Sequence, residues 1–171
     1  ILKGDRITAN PWADETSVAA LLSAAGYHTT AVGKWHIGEG EGMRPFEVGF
    51  DEWYGYYGAE KEISQEFDQR LYPDLVLDPD KLAAYRSMGA DIDLVAAKKG
   101  DADDTVVIKT TGVGDVAEAD MRLRDYSVRR IGEMAKEDKP FLLYHAFMKV
   151  HTDNFPSARF TGASASKYPY K

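Results

Sequence analysis

Twice along this chain a helix-like segment leads into an apolar, strand-like segment, and this order constrains the fold more than any other feature. Residues 15–25 carry apolar side chains at helical spacing, and residues 27–32 are rich in β-branched and aromatic types. A second helix-like stretch over 115–136 precedes the apolar run 140–147. Such a run is typical of a central strand covered on both faces. We therefore expect an α/β fold with helices packed on a mostly parallel central sheet.

The apolar periodicity also predicts which helical residues face the core. In the first helix the buried face is expected to carry Val18, Leu21, Leu22 and Ala25. Asp14 or Thr16 is expected to cap its N-terminus and Gly26 to end it. The second helix has a looser buried stripe, made of Val116, Ala119, Leu123, Ile131, Met134 and Ala135.

The region between the two helix-and-strand units has little periodicity. Residues 58–114 contain Pro73, Pro79 and one apolar strand candidate over 105–109, so we expect an irregular insertion. The acidic run Asp101, Ala102, Asp103 and Asp104 lacks the spacing and the glycine of an EF-hand loop. It is predicted to be a solvated turn, and no metal ligand is assigned in this chain.

Composition excludes several classes of function. The 171 residues include 21 Lys and Arg against 28 Asp and Glu, and a net charge of −7 argues against nucleic acid or an anionic membrane surface as the main partner. The chain has no cysteine, which excludes disulfides and thiolate-bound zinc. No apolar run approaches the ~18 residues of a membrane span. Because the sequence starts without Met and without a signal-peptide core, we expect an interior piece of a longer protein.

Two loops repeat a Lys-x-His pattern directly after the predicted strands. Lys34 and His36 follow the first strand, and Lys149 and His151 follow the second. In an extended segment Lys34 and His36 point to one side, where an ammonium and an imidazole can bind an anion. Lys149 either tunes anion affinity or faces solvent. By contrast, the histidines inside the two strands, His28 and His145, are predicted to be hydrogen-bonded structural residues.

The motif Gly33-Lys34-Trp35-His36-Ile37-Gly38, with the helix and strand before it from Thr16 to Val32, closely resembles the sulfatase family. Pro45 and the run Gly49-Phe50-Asp51-Glu52-Trp53-Tyr54-Gly55 match the same family in the same order. Lys139-Pro140-Phe141-Leu142-Leu143-Tyr144, followed by His151, resembles the sulfatase strand that ends in a catalytic-pocket histidine. The resemblance covers about residues 14–55 and 120–162, and the segment 60–111 corresponds to a region that varies among arylsulfatases.

The resemblance implies an incomplete sulfatase catalytic domain over residues 1–171, with part of an alkaline-phosphatase-like sandwich. It implies hydrolysis of sulfate esters through a formylglycine hydrate, aided by calcium. Lys34 would bind sulfate oxygens and help position the nucleophile, and His36 would assist breakdown of the sulfated intermediate. His151 would contact the sulfate or protonate the leaving alcohol. These roles suit an anionic transition state, which preorganised donors stabilise.

The chain departs from the family pattern at the nucleophile and the metal site. Formylglycine arises from the first residue of a Cys/Ser-x-Pro-x-Arg motif. Here Asn154 stands in the Cys/Ser position of the nearest match and Ala158 in the Arg position. The paired N-terminal aspartates and the Asp-Asn-Gly segment that would bind calcium in the family are also missing from this sequence. We therefore expect this chain to be inactive by itself and to need the remainder of the sulfatase chain.

The resemblance also implies a partner and a compartment. The substrate would be a small sulfate ester or a sulfated glycan, and export to the periplasm or secretion would be typical of the family. Three alternatives remain open. The first is an inactive anion-binding module, and the second is a phosphoesterase or phosphotransferase of the same superfamily. The third is a dinucleotide-binding domain, in which Gly112-Val113-Gly114 would form the binding turn after the strand over 105–109.

Overall fold

The computed structural model describes residues 10–58, 78–80, 93–149, 151 and 155–165. Much of the expected variable insertion, residues 59–77 and 81–92, lies outside these ranges, as do Asn154 and Val150. The described helices are α1 (Val18–Ala24), α2 (Val113–Ala117) and α3 (Ala119–Met134), and the strands are β1 (His28–Lys34), β2 (Glu52–Tyr56), β3 (Leu94–Lys98), β4 (Thr105–Ile108) and β5 (Phe141–Ala146). None of these helices is long and apolar enough to cross a membrane.

The five strands form one sheet in the order β4-β3-β2-β1-β5. β1 pairs in parallel with β2 on one side and with β5 on the other. β3 is antiparallel to both of its neighbours, so β4 again runs in the direction of β2. The expected α/β fold with a mostly parallel sheet is confirmed. The strand candidate at 105–109 is confirmed as β4, but β2 and β3 were missed, and the irregular insertion in fact adds an antiparallel pair to the sheet.

β1, and not β5, occupies the interior of the sheet. Residues 29–33 of β1 are buried, because this strand has a hydrogen-bonded neighbour on each side and side-chain cover on both faces. β5 pairs with β1 alone within the described residues, and its Tyr144 is 45% exposed. The prediction that the apolar run 140–147 is a central strand is therefore wrong for the chain as described.

The first helix begins three residues later and ends one residue earlier than expected, and its capping residue differs. Ser17 is the N-cap, its hydroxyl accepting a hydrogen bond from the Ala20 amide at 3.0 Å, so neither Asp14 nor Thr16 has that role. Ala19 is fully buried, whereas Val18 and Leu21 are 62% and 60% exposed. The predicted buried face of α1 is thus wrong. Gly26, with φ of 92°, confirms the predicted left-handed helix end.

Two hydrophobic clusters lie on opposite faces of the sheet. The first packs Ala19 of α1 against Ala31, Trp35 and Trp53. The second contains residues from α2, α3, the strands and the loops after β5; its buried members are Val32, Tyr56, Leu94, Val116, Ala119, Leu123, Met148 and Phe155.

The single helix expected over 115–136 is divided into α2 and α3 at Glu118. Val116, Ala119, Leu123 and Met134 of the predicted stripe are buried, but Ile131 is 43% exposed and Ala135 is also exposed. The stripe is therefore correct at four positions and wrong at two near the end of the helix, and it missed Ser127, which is buried in the middle of α3.

Candidate functional site

The two Lys-x-His loops leave the same edge of the sheet. Gly33 of β1 lies opposite Ala146, the last residue of β5, and Lys34 lies opposite Tyr56, the last residue of β2. The carboxyl ends of three parallel strands therefore meet, which is where α/β proteins place their functional groups. Lys34 ends β1, and His151 lies in the loop that follows β5. The topology brings these two parts of the chain, far apart in sequence, to one edge.

The Lys34–His36 segment stays paired to the neighbouring strand beyond the end of β1. The Trp35 amide donates to the Tyr56 carbonyl at 2.9 Å, and the His36 amide donates to the Tyr57 carbonyl at 3.0 Å. Trp35 is 5% exposed and belongs to the first hydrophobic cluster. Val32 belongs to the second cluster, on the other face of the sheet. By strand alternation Lys34 shares the face of Val32.

Gly33 is needed because two strands approach very closely at this point. Its φ is +102°, and a Cβ atom there would lie 1.8 Å from the Ala146 carbonyl oxygen. Its partner Gly55 is restricted as well, since a Cβ atom there would lie 2.0 Å from the Gly33 carbonyl oxygen. A larger residue at either position would push the strands apart and displace the end of β1 that carries Lys34.

The chain changes direction at His36, which adopts a left-handed conformation with φ of 51°. This conformation costs a non-glycine residue about 1–3 kcal/mol and is kept only where the surroundings require it. The surroundings here are aromatic: Trp35 stacks on Trp12 with 5.9 Å between ring centroids, and its indole Nε1 donates to the Met43 carbonyl at 2.9 Å. The loop after Trp35 is therefore anchored on both sides of the turn.

Asp51, in the aromatic motif before β2, joins α1, β1 and β2. Its carboxylate accepts hydrogen bonds from the Thr29 amide at 2.9 Å, the Thr29 hydroxyl at 3.0 Å and the Ser23 hydroxyl at 3.0 Å. Burial opposes ionisation of Asp51, but these bonds outweigh it and hold its pKa below the usual value. This is a structural role, and the sequence carried no signal for it beyond the motif itself.

The histidines within the strands are hydrogen-bonded, which confirms their predicted structural roles. His28 Nε2 lies 3.5 Å from Glu52 Oε1 and 3.4 Å from Arg130 Nη2. His145 Nδ1 is 2.7 Å from the Ser127 hydroxyl. Burial lowers the pKa of His145, so this histidine favours its neutral form.

The loop carrying His151 is attached to the start of α3. Asp120 accepts hydrogen bonds from the Met148 and Lys149 amides at 2.7 and 3.1 Å. The Lys149 ammonium donates to the Ala117 carbonyl, the last of α2, at 2.8 Å. Lys149 is half-buried, so the alternative that it simply faces solvent is wrong. Asp120 was missed from sequence, where its only signal was an acidic residue in the first turn of a helix.

The acidic run after β3 is more than the solvated turn that was predicted. Asp103, with a side chain 80% exposed, pairs with Arg44 at 2.8 Å, and Asp104 accepts a 2.6 Å hydrogen bond from the Tyr57 hydroxyl. Across the described ranges no three His, Cys, Asp or Glu side chains are grouped so as to hold a metal ion. These residues do not fit a calcium site, and the cysteine precursor of formylglycine is absent from the sequence.

The dinucleotide-binding alternative is contradicted by the topology. β4, which precedes Gly112, lies at the sheet edge and is antiparallel to β3, and α2 is only 5 residues long. A dinucleotide fingerprint needs an interior parallel strand leading into a long helix, because the pyrophosphate binds at the N-terminus of that helix.

Comparison with known proteins agrees with the motifs at this edge. The family model named Sulfatase matches residues 4–171. The PsFucS1 sulfatase from Pseudoalteromonas sp. is 38% identical with a TM-score of 0.89, over 99% of this chain and 34% of that one. N-acetylgalactosamine-6-sulfatase from Canis lupus familiaris is 28% identical over 84% of this chain, and Arylsulfatase G from Mus musculus is 25% identical over 81%. The chain spans about a quarter of the length of these two relatives.

Proposed function

Because this chain belongs to the sulfatase family, we propose that it forms the anion-binding side of the active site of a sulfuric ester hydrolase. The observation that carries the proposal is the shared sheet edge, at which β1 ends in Lys34 and β5 leads to His151. Lys34 and His151 bind the sulfate oxygens. His36 transfers a proton on the side of the nucleophile, and His151 also protonates the leaving alcohol.

The charges at this edge support the proposal. In the parts of the chain that the structure describes, no carboxylate pairs with the Lys34 ammonium, whereas Arg44, Arg122 and Arg130 all have acidic partners. An ammonium at the end of a buried strand attracts an anionic ligand more strongly than one in bulk water, since the surrounding dielectric constant is lower. A sulfate ester carries the required negative charge on oxygens that accept hydrogen bonds.

A sulfated glycan is the substrate class that we favour within this function. One relative is named for a sulfated amino sugar, N-acetylgalactosamine 6-sulfate. The chain is 28% identical to that protein over 150 residues, which cover 84% of this chain. Calcium and a formylglycine nucleophile are expected from the remainder of the protein, since the described residues of this chain supply neither.

Turnover by the full-length protein tests the proposal. We expect hydrolysis of 4-nitrophenyl sulfate, and no comparable hydrolysis of 4-nitrophenyl phosphate. Lys34→Ala, His36→Ala and His151→Ala should each lower kcat/KM by about 100-fold or more, as expected for loss of charge stabilisation or proton transfer. Lys98→Ala is the matched control, because Lys98 ends β3 at the opposite edge of the sheet and is exposed.

Three results would contradict the proposal in different ways. Phosphate hydrolysis without sulfate hydrolysis would indicate a phosphoesterase of the same superfamily. Binding of sulfate without turnover would indicate an inactive anion-binding module. Sulfatase activity that survives all three substitutions would show that the site lies elsewhere.

A further inference from the structure

We infer that Asp120 is a positioning residue, which sets the loop carrying His151 against the end of β1 that carries Lys34. The inference rests on the proposed function, because it assigns Asp120 an effect on turnover through His151. It concerns the described residues Asp120, Met148, Lys149 and His151, and none of the comparisons assigns a role to Asp120.

The carboxylate of Asp120 binds the loop at two consecutive residues. One oxygen of Asp120 accepts the Met148 amide at 2.7 Å, and the other accepts the Lys149 amide at 3.1 Å. Both oxygens are therefore used by consecutive amides of a single loop. A carboxylate bound in this way restrains both the position and the direction of that backbone, because the donors are charge-assisted and fixed by the peptide planes.

Asp120 is itself part of a buried element. It lies in the first turn of α3, where the partial positive charge of the helix N-terminus stabilises a carboxylate. Ala119 and Leu123 on either side of it are 2% and 0% exposed, so this part of α3 cannot shift without disturbing the second hydrophobic cluster. The carboxylate is thus held by a rigid element.

Met148 and Lys149 of the loop make further contacts of their own. Lys149 donates to the Ala117 carbonyl at 2.8 Å, and Met148 is 2% exposed within the same hydrophobic cluster. These contacts fix the two residues just before Val150 and His151. His151 has interactions of its own. The direction from which the backbone reaches it is set by Ala117 and Asp120, which lie on either side of the junction between α2 and α3 and bind the preceding residues.

A double-mutant cycle in the full-length protein tests the inference. We expect Asp120→Ala to lower kcat on 4-nitrophenyl sulfate by about 30-fold, because displacement of a catalytic group by ~1 Å can cost about 100-fold. KM should rise as well, since His151 also binds the sulfate, whereas a loss of folded protein alone would leave KM unchanged. In a His151→Ala background the same substitution should cause less than about a threefold further loss, since the group that it positions is already absent. Rates are normalised to the folded fraction, measured by circular dichroism.

Two further variants keep the test decisive if Asp120→Ala folds poorly. Asp120→Asn keeps the shape but only one acceptor oxygen, and should give a smaller loss of about fivefold, again absent in the His151→Ala background. Asp125→Asn is the matched control on the same helix, because Asp125 has a side chain 67% exposed and pairs only with its neighbour Arg124 in the described structure.

The outcomes separate the inference from the proposed function. If His151→Ala alone leaves turnover unchanged, the proposed role of His151 fails. If His151→Ala lowers turnover but Asp120→Ala and Asp120→Asn do not, the positioning role is wrong. An equal loss from the Asp120 substitutions in both backgrounds would also overturn it, because it would show that Asp120 acts on stability or on another group.

Discussion

The two loops at the candidate site are held in place by different kinds of interaction. The Lys34–His36 segment follows a strand with neighbours on both sides, and backbone hydrogen bonds to Tyr56 and Tyr57 extend that pairing past the end of β1. The His151 loop follows a strand with one described neighbour, and the side chains of Asp120 and Lys149 attach it. The Lys34–His36 segment is therefore positioned mainly by backbone pairing, supported by the Trp35 side chain, and the start of the His151 loop by side-chain contacts.

This difference decides which substitutions each loop tolerates. Backbone pairing does not depend on side-chain identity, so the paired end of β1 is sensitive where a Cβ atom has no room, at Gly33 and Gly55, while the turn that follows depends on the Trp35 indole. The His151 loop depends on particular side chains and is sensitive to their removal. We therefore expect added side-chain atoms to be harmful at the end of β1, and the loss of side-chain contacts to be harmful in the loop after β5.

The largest expected effect is that of Gly33→Ala. The new Cβ atom would lie 1.8 Å from the Ala146 carbonyl oxygen at a φ of +102°, so backbone strain and overpacking add to a destabilisation of roughly 4 kcal/mol. Urea denaturation of the full-length protein measures it. Gly132→Ala is the control: that glycine lies in α3 with no atom within 4 Å of its Cβ position, and the change should stabilise by about 0.5–1 kcal/mol. Equal stability of both variants would contradict the strand-contact argument.

A smaller loss is expected from Met148→Ala in the His151 loop. Met148 is 2% exposed in the second hydrophobic cluster, and truncation of such a side chain costs about 2–4 kcal/mol. Met148→Leu, which nearly conserves volume, should cost less than ~1.5 kcal/mol. Thermal denaturation distinguishes the two. An unchanged melting temperature in the alanine variant would mean that the loop is not held by this contact.

Asp51→Ala should cost about 2 kcal/mol, because it leaves the buried Thr29 amide and hydroxyl without their carboxylate partner. It tests whether backbone pairing alone is sufficient to hold the start of β1. Asp125→Ala, at an exposed carboxylate, should change the free energy of unfolding by less than ~0.5 kcal/mol. If both variants unfold at the same urea concentration, side chains contribute nothing at this end of β1.

The smallest effect is expected at Asp115, beside the junction that positions His151. Its hydrogen bond with Arg122 lowers its pKa to about 2. A carboxyl with a lowered pKa in the folded state stabilises the fold above its ordinary value near ~4, and this contribution is lost as the pH falls towards 2. Asp115→Asn should therefore flatten the acid side of the stability profile, by less than about 1 kcal/mol after solvent screening. A profile as steep as that of the wild type would exclude this contribution.

Local patterns predicted the elements of the fold better than they predicted the environment of those elements. The helix before β1, the strand at β4 and the end of α1 at Gly26 were all correct because they follow from nearby spacing and from glycine conformation. The buried side of α1 was wrong: Val18 and Leu21 are exposed and Ala19 is buried, since the packing surface available to the helix selects the buried side. β3 was missed because Leu94–Lys98 is short and lies in a region of little periodicity. Its place in the sheet follows from pairing with β2 and β4, which the sequence does not show.

At the candidate site, too, local motifs could be predicted from the sequence and long-range contacts could not. The motif Gly33-Lys34-Trp35-His36 and the aromatic run from Gly49 to Gly55 could be recognised as sulfatase motifs from the sequence, because motif residues and their spacing are local properties. The roles of Asp51 and Asp120 could not be predicted, since their partners Thr29 and Met148 lie 22 and 28 residues away.

By itself, then, the sequence determined the family, the two helix-and-strand units around β1 and β5, and the identity of Lys34, His36 and His151 as candidate residues. Only the tertiary structure decided that β1 lies between β2 and β5, that Gly33 must lack a side chain, and that Asp120 attaches the His151 loop. The physical reason is that spacing and propensity act over a few residues, whereas strand neighbours, steric contacts and long-range hydrogen bonds exist only once distant segments have packed together.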